Sequence, residues 1–546
     1  MYKINIDAYQ KTPLTQHQKA SNMEVPYLYI SLLLLLASYL FTSHFRRKSA
    51  NLPPTIFPTL PIIGHLYLLK PPIYRTLSDL SAKYGPVLLL QLGFRRVLLI
   101  SSPSAAEECF TKNDIIFANR PHMLYGKFLA NNYTSLVFSS YGENWRHLRR
   151  IASNEILSPG GLNGYCHMRI DKGKLMIRKL MMTSSSPVNM NSVFYELMLN
   201  VMMRMICGKW YFGVDIPEML IIFGDDDDDD EAGGWVAGGG GGGGGEEGNR
   251  LREIIDETEL FNSDSVIADY LPQLSWFGNR AEKRFIALQE KRDVFVQELI
   301  EQVRKSKGET KEKTMIEALL SLQESDPEYY TDQMIRSLVI VFLSAGTDTS
   351  VATMEWSLSL LLNHPQVLQN AQSEIDTKIG KDRLVEESDI AELPYIRWIM
   401  NETFRLYPVT PLLLPHESSE DCTIEGYNVP RGTMLLVNQW AIQNDPKLWT
   451  DPERFYPERF KGVEGTKVGF KLLPFGSGRR RCPEDGLAIR VFGPTLALLI
   501  QCFDWERLSE EMVDMKKGQG FTMHKAEPLV AKCKPRPEMQ HLLAQL

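Results

Sequence analysis

Near the end of the chain stands PFGSGRRRCPEDG, residues 474–486, with one thiol, Cys482, behind a glycine-rich turn and three arginines. A zinc site wants two cysteines at short spacing. A structural disulfide wants a partner and an oxidising compartment. The chain has seven cysteines, an odd number, and no two of them form CxxC. A lone thiolate has another use: as axial ligand of haem iron it pushes electron density onto the metal and favours O–O cleavage. The surroundings suit an anionic sulfur. Gly476 and Gly478 let backbone amides come close. The run GLAIRVFGPTLALLIQCF predicts a helix whose N-terminal dipole favours an anion at Cys482. Pro483 suits a first helical position, and Arg480 suits a propionate. A buried structural cysteine is the competing reading of any single Cys.

Four other groups have types or spacings that could serve chemistry. AGTDTS, residues 345–350, lies inside a long apolar helical pattern, where Gly346 costs about 1 kcal/mol against alanine. A glycine, an acid and hydroxyls among Val, Leu and Phe need a reason, and a helix-packing notch with back-bonded Thr349 supplies one. ETFR places Glu402 and Arg405 on one helix face; alone this is a surface pair worth about 0.3–0.5 kcal/mol. WRHLRR places Trp145 and Arg149 at i,i+4, which an amphipathic helix explains equally well. His416, taken alone, reads as an ordinary surface histidine.

In combination and in order, these segments resemble the cytochrome P-450 superfamily over about residues 50–540. Phe475, Gly478, Arg480 and Cys482 match its haem-binding loop FxxGxRxCxG, while Glu484 stands where that pattern ends in glycine. The resemblance implies a mainly α fold with a small β region, a single large domain behind an N-terminal transmembrane helix, and haem b ligated by Cys482. It implies that Asp348 and Thr349 of AGTDTS serve oxygen activation, an acid and a hydroxyl relaying protons. Trp145, Arg149, His416 and Arg480 would hold the propionates. Glu402 and Arg405 would join Arg459 of DPERFYPERF, rather than Arg454, in a charged cluster that fixes the cysteine loop. SAAEECFTKNDIIFANRP and PHESSEDCTIEGYNVPRGTMLLVNQWAI are similar to plant enzymes that hydroxylate isoflavonoids, flavonoids, lignans and indole glucosinolates. The activity implied is a monooxygenase acting on an apolar, aromatic plant metabolite with O2. By analogy, its walls would come from Leu124 to Phe128, Phe342, Ala345, Leu412 to Leu414 and Phe521 to Met523. No flavin or nicotinamide motif is evident, so the implied electron donor is NADPH-cytochrome P-450 reductase. Arg146, Arg150, Arg479 and Arg481 are candidates for its docking face.

The elements that must position these residues begin with a membrane signal. Residues 25–41, VPYLYISLLLLLASYLF, carry no charge and are followed by Arg46, Arg47 and Lys48. That order predicts an uncleaved anchor over 24–45 with the globule on the cytosolic face of the endoplasmic reticulum; a cleaved signal peptide would carry its charge first. A polar extension, 1–23, precedes it, and Met23 is an alternative start. A basic and proline-rich hinge, 46–64, leads into the domain, 65–546. Helical periodicity dominates at 251–261, 287–307 and 333–363, with strand-like runs at 87–101. Residues 224–248 hold six aspartates and then a run of eight glycines, Gly238 to Gly245, a composition that predicts disorder; no strand precedes the glycines, so no nucleotide site is read there. The net charge of −7 includes nine acids and no base between 225 and 247, leaving the rest at +2 and suggesting no nucleic-acid partner. Asn401-Glu-Thr overlaps the ETFR helix, where a glycan would break the fold, in keeping with a globule outside the lumen.

Three departures point elsewhere. Glu484 brings a carboxylate beside the thiolate, Pro494 falls inside the following helix at a cost of about 3 kcal/mol or more, and the Asp/Gly stretch interrupts the globule. They motivate an alternative, a haem-impaired membrane protein without catalysis. A further alternative keeps haem but is an NADPH-independent isomerase or dehydratase, a class that generally lacks the acid–Thr pair present here.

Overall fold

The structure is a computed structural model that describes residues 38, 50–183, 186–211, 245–264, 269–271, 279–306, 314–463, 465–518 and 520–546. The expected extension 1–23, the anchor 24–45 apart from Ser38, residues 46–49 of the hinge and residues 224–244 of the Asp/Gly stretch lie outside these. Gly245, Glu246, Glu247 and Gly248 open a helix, so the interruption expected over 224–248 stops short of them.

The principal helices are α1 (Ile73–Tyr84), α2 (Pro103–Phe110), α3 (Leu124–Phe128), α4 (Glu143–Arg150), α5 (Cys166–Met182), α6 (Met190–Cys207), α7 (Gly245–Asp264), α8 (Asn279–Lys305), α9 (Asp332–Asn363), α10 (Pro365–Lys378), α11 (Pro394–Leu406), α12 (Gln439–Gln443) and α13 (Asp485–Cys502). Strands are few and short. β1 (Val87–Leu92) and β2 (Arg95–Ile100) form a hairpin, joined by β4 (His416–Glu417) and β7 (Met434–Val437) in the order β1-β2-β7-β4, with β2 and β7 parallel. β3 (Val188–Asn189), β9 (Val530–Pro535) and β8 (Phe503–Glu506) make a second sheet, and β5 (Cys422–Ile424) pairs β6 (Tyr427–Val429).

The helix α9 spans 32 residues, about 48 Å at 1.5 Å per residue. Thr331 caps it, its hydroxyl accepting from the Met334 N–H at 3.3 Å. Its apolar residues do not keep to one stripe, and its C-terminal half from Ser350 to Asn363 is buried throughout. That is the pattern of a helix enclosed by its neighbours. α6 packs along it, and α11 and α13 cross it nearby. Among the described residues α9 and α13 are long and apolar enough to cross a membrane, yet both are mostly buried inside the globule. α13 runs unbroken through Pro494.

Candidate active site

α9 and the loop before α13 face each other across a cavity of about 230 Å³, lined by Cys482, Arg120, Arg149, Arg480, His416 and Glu484 and walled by apolar side chains. The loop is closed by the Cys482 N–H, which donates to the Phe475 carbonyl at 2.9 Å. The Phe475 ring meets Phe404 of α11 edge-on at 5.4 Å. Gly478 takes a positive φ of 69°, and a Cβ there would collide with the Asp114 carboxylate. Asp114 also accepts the Arg479 N–H at 2.9 Å. So Gly478 is demanded by the contact with Asp114, not by an approach to sulfur. Pro483 precedes the N-cap, Glu484, and α13 begins at Asp485, two residues after the first helical position expected at Pro483. Burial, then the charge of Glu484, pushes the Cys482 thiol up to about 12, against a backbone hydrogen bond from Glu484. A metal cation bonded directly to the sulfur would displace such a proton.

Anion-binding capacity is concentrated on the opposite wall. The Arg480 guanidinium carbon lies over the Trp145 ring, 4.4 Å from its centroid. Its Nε donates to the Ala118 carbonyl at 2.6 Å, and Nη2 donates to that of Ser139. Arg120, which sequence reading missed, gives Nη1 to the carbonyls of Leu414 (3.0 Å) and Pro415 (2.7 Å). Arg149 gives Nη1 to the Arg481 carbonyl at 2.7 Å. None of these three guanidinium groups has a carboxylate within ion-pair distance among the described residues. Burial pushes Arg120 down to about 9 and Arg480 down to about 8, and in Arg480 the charges of Arg120 and Arg149 add to it. Buried cations held only by carbonyls and by one another call for an anion. The two propionates of haem supply two negative charges to this wall, and the cluster fits them.

Two expected contacts differ. The Trp145 N–H is taken by the Leu136 carbonyl at 3.1 Å, so Trp145 presents its face to Arg480 rather than an N–H to a propionate. His416 is not a surface residue. It is buried in β4, and burial, then the charge of Arg120, pushes it well below 6.5. The ring is neutral there; its Nδ1 donates to the Phe117 carbonyl at 2.8 Å, which leaves Nε2 as an acceptor.

Glu402 and Arg405 are both 0% exposed, so the surface-pair reading fails. Arg405 Nε and Nη2 stand 2.7 and 2.8 Å from the two carboxylate oxygens. Arg459 Nε adds a contact at 2.9 Å, while the Arg454 side chain lies over Tyr456. Arg405 Nη1 donates to the Gln443 carbonyl at 2.8 Å, and the Gln443 side chain accepts the Leu473 N–H at 3.1 Å. That relay runs from the ion cluster to the strand of chain entering the cysteine loop.

On α9, Gly346 has Met202 Cε of α6 3.1 Å and Glu484 Oε2 3.4 Å from where a Cβ would stand. It is a packing notch and a cavity wall at once. Thr349 lines the cavity, its hydroxyl donating to the Ala345 carbonyl at 2.7 Å. Asp348 faces an adjoining channel of about 340 Å³ instead, with Oδ2 3.2 Å from His524 Nε2. Burial opposes charging His524, but the hydrogen bond and charge of Asp348 outweigh it and hold the imidazole above its usual range. Nothing local in the sequence ties residue 524 to residue 348. The cavity and the channel share Val137, Val341, Ala345, Thr349, Thr410, Leu413 and Leu414. Of the expected wall, Tyr125, Phe342, Ala345, Leu412 to Leu414, Phe521 and Thr522 line one or both. Met523 does not; it is buried with Tyr74 and Trp356. Phe128 turns away too, stacking on Phe285 at 5.7 Å.

Glu484 is the anomaly. It is 6% exposed, its Oε1 has no partner, and burial pushes it up to about 8. It stands in the site as a neutral acid among apolar side chains.

On the outer face, two of the four expected docking cations are ion-paired. Arg479 Nε is 3.3 Å from Asp114, and Arg481 is 2.7 Å from Asp485. Arg150 bonds His147 at 3.1 Å, and Arg146 lies over Tyr141.

A family model described as Cytochrome P450 matches residues 54–531. Cytochrome P450 81Q32 of Catharanthus roseus is 47% identical, covering 95% of this chain and 98% of its own length. The (+)-piperitol/(+)-sesamin synthase of Sesamum radiatum is 43% identical over 96% of this chain and 99% of its own. An isoflavone 2'-hydroxylase of Glycyrrhiza echinata is 43% identical over 91% and 95%. Among solved structures, a zebrafish cytochrome P450 with progesterone superposes with a TM-score of 0.70 at 25% identity, covering 85% of this chain and all of that one.

Proposed function

This chain belongs to the cytochrome P450 family, and from that premise we propose that it hydroxylates an oxygenated aromatic plant metabolite of the isoflavonoid or lignan kind. Its class, a haem-thiolate monooxygenase, follows from the family and its named hydroxylase relatives. Electrons would come from NADPH-cytochrome P-450 reductase, with residues 24–45 anchoring the domain on the cytosolic face of the endoplasmic reticulum. The observation that carries the reading is one cavity bordered by a thiol, three guanidinium groups without carboxylate partners among the described residues, and Thr349.

Cys482 and the Arg120, Arg149 and Arg480 wall would hold haem, whose iron chemistry would be the cleavage of dioxygen, with two electrons from the reductase and two protons taking one oxygen atom to water and the other going to the substrate. The chain's own residues do the rest. Cys482 gives the thiolate. The guanidinium wall fixes orientation through charge-assisted bonds. Thr349 Oγ1 holds a proton at the cavity surface, and its neighbour Asp348 offers Oδ2 as the acceptor for the next, which His524 holds at Nε2 3.2 Å away. Phe342, Val341, Leu413 and Leu414 keep bulk water out and present apolar surface to an aromatic ring. The Glu402–Arg405–Arg459 cluster keeps the loop in place from behind.

Glu484 favours a second reading, a chain that folds but retains haem poorly. A carbon monoxide difference spectrum of the reduced protein separates the two. Thiolate-ligated haem at near one per chain, with NADPH-dependent oxidation of an isoflavone panel in the presence of reductase, supports the first. A chain that takes up no haem refutes it.

A further inference from the structure

In the part of the channel that does not border Cys482, polar groups interrupt an apolar lining. Arg292 of α8 is 3% exposed. It gives Nη1 to the Leu129 carbonyl at 3.2 Å, faces Tyr125, and leaves Nε buried with no acceptor. Among the described residues no carboxylate pairs with it; the adjacent Asp293 is 3.4 Å from Arg336. Asp269 is 5% exposed. Its Oδ1 accepts the Leu124 N–H at 2.7 Å, and its Oδ2 is buried with no donor. Arg95 reaches only its main-chain carbonyl, at 2.8 Å. Both side chains line the same channel, together with Ser135 and Thr258. They attach to the two ends of α3, Asp269 at Leu124 and Arg292 at Tyr125 and Leu129.

A buried donor and a buried acceptor, each left unsatisfied on one cavity, define what relieves them: a ligand carrying an oxygen acceptor and a hydroxyl donor. A site built this way rejects an analogue that lacks those groups far more strongly than an apolar wall rejects a methylene. We propose that Arg292 and Asp269 are specificity-determining residues that read a carbonyl or phenolic oxygen and a hydroxyl on the substrate, at the end away from the carbon that is oxidised. The protein therefore takes polyoxygenated aromatic metabolites and discriminates against the bare ring system. This deepens the proposed function and rests on it for the identification of the channel as the substrate's.

The test is equilibrium binding to the holoenzyme, read by tryptophan fluorescence quenching so that turnover is not needed. The probes are 7-hydroxyisoflavone and unsubstituted isoflavone. The wild type should prefer the hydroxylated probe by about tenfold or more. Arg292→Met and Asp269→Asn should each cut that preference to about threefold or less while the affinity for isoflavone holds; the second is isosteric and keeps the α3 contact should the first misfold. No binding, no preference in the wild type, or a preference that survives both substitutions overturns the inference. Turnover of the same probes separates the two claims. Selective binding without oxidation refutes the proposed function and leaves the recognition pair standing, whereas oxidation of both probes with equal affinity refutes the pair alone.

Discussion

Replacing Glu484 by glycine should raise haem retention. In the structure this carboxyl lies inside the cavity, 3.4 Å from the Cβ position of Gly346, with one oxygen unpartnered. A buried polar atom without a partner costs about 1–3 kcal/mol. Haem filling the cavity removes any route by which that oxygen could be solvated, so the cost falls on haem binding. At tenfold per 1.4 kcal/mol, Glu484→Gly should bind haem about 5- to 150-fold more tightly. Glycine is tolerated at an N-cap, and the backbone at 484, with φ −96° and ψ 11°, makes no demand for a side chain. The same change removes the acid that, once ionised, most opposes the Cys482 thiolate after burial. The assay is haem per polypeptide by pyridine haemochrome, together with the rate of haem transfer to apomyoglobin. Glu484→Gln keeps the volume and a buried polar group but cannot ionise, so its position between parent and glycine variant apportions burial of a polar group and ionisation. Equal haem content and equal transfer rates for parent and glycine variant refute the reasoning.

Glu402→Gln should cost about 3–5 kcal/mol, because it leaves Arg405 buried without its anion; urea unfolding monitored by far-ultraviolet dichroism reads this directly, and a loss below about 1 kcal/mol would show that the cluster does not hold the fold. The His524–Asp348 pair has a definite pH signature. The imidazole is held above its unfolded value, so its contribution, of order 1 kcal/mol, is complete below about pH 6.5 and is lost as the pH rises through the folded value. The melting-temperature gap between parent and His524→Gln should therefore be widest in acid and close in base; a gap that widens with pH contradicts the pairing. Thr349→Ala should leave NADPH consumption running while product falls by about tenfold or more and peroxide accumulates, and unchanged coupling would remove Thr349 from the proton path.

Much of the site was legible because its members sit close together in the chain. The ETFR spacing puts Glu402 and Arg405 on one face of a helix whatever surrounds it, and Phe475, Gly478, Arg480 and Cys482 belong to one short loop. The long helices at 251–261, 287–307 and 333–363 announced themselves through periodicity and appear as α7, α8 and α9. Contacts across the chain were not legible. Arg120 gave no sign of the cavity beyond its place in FANRP, and Gly478 gave a reason that the contact with Asp114 replaced.

The sequence by itself determined the kind of chemistry: a lone thiol in a glycine–arginine loop, an acid and hydroxyl inside an apolar helix, and an acid–base pair at helical spacing. Those features are set by residue identity and by spacings within single elements. Tertiary packing decided which charges keep a partner. It removed water from Glu402 and Arg405, made His416 neutral, turned Glu484 inward toward Gly346 and brought His524 to Asp348. Burial and the nearest charges set an ionisable group's state, and both come from whichever distant segments fold against it.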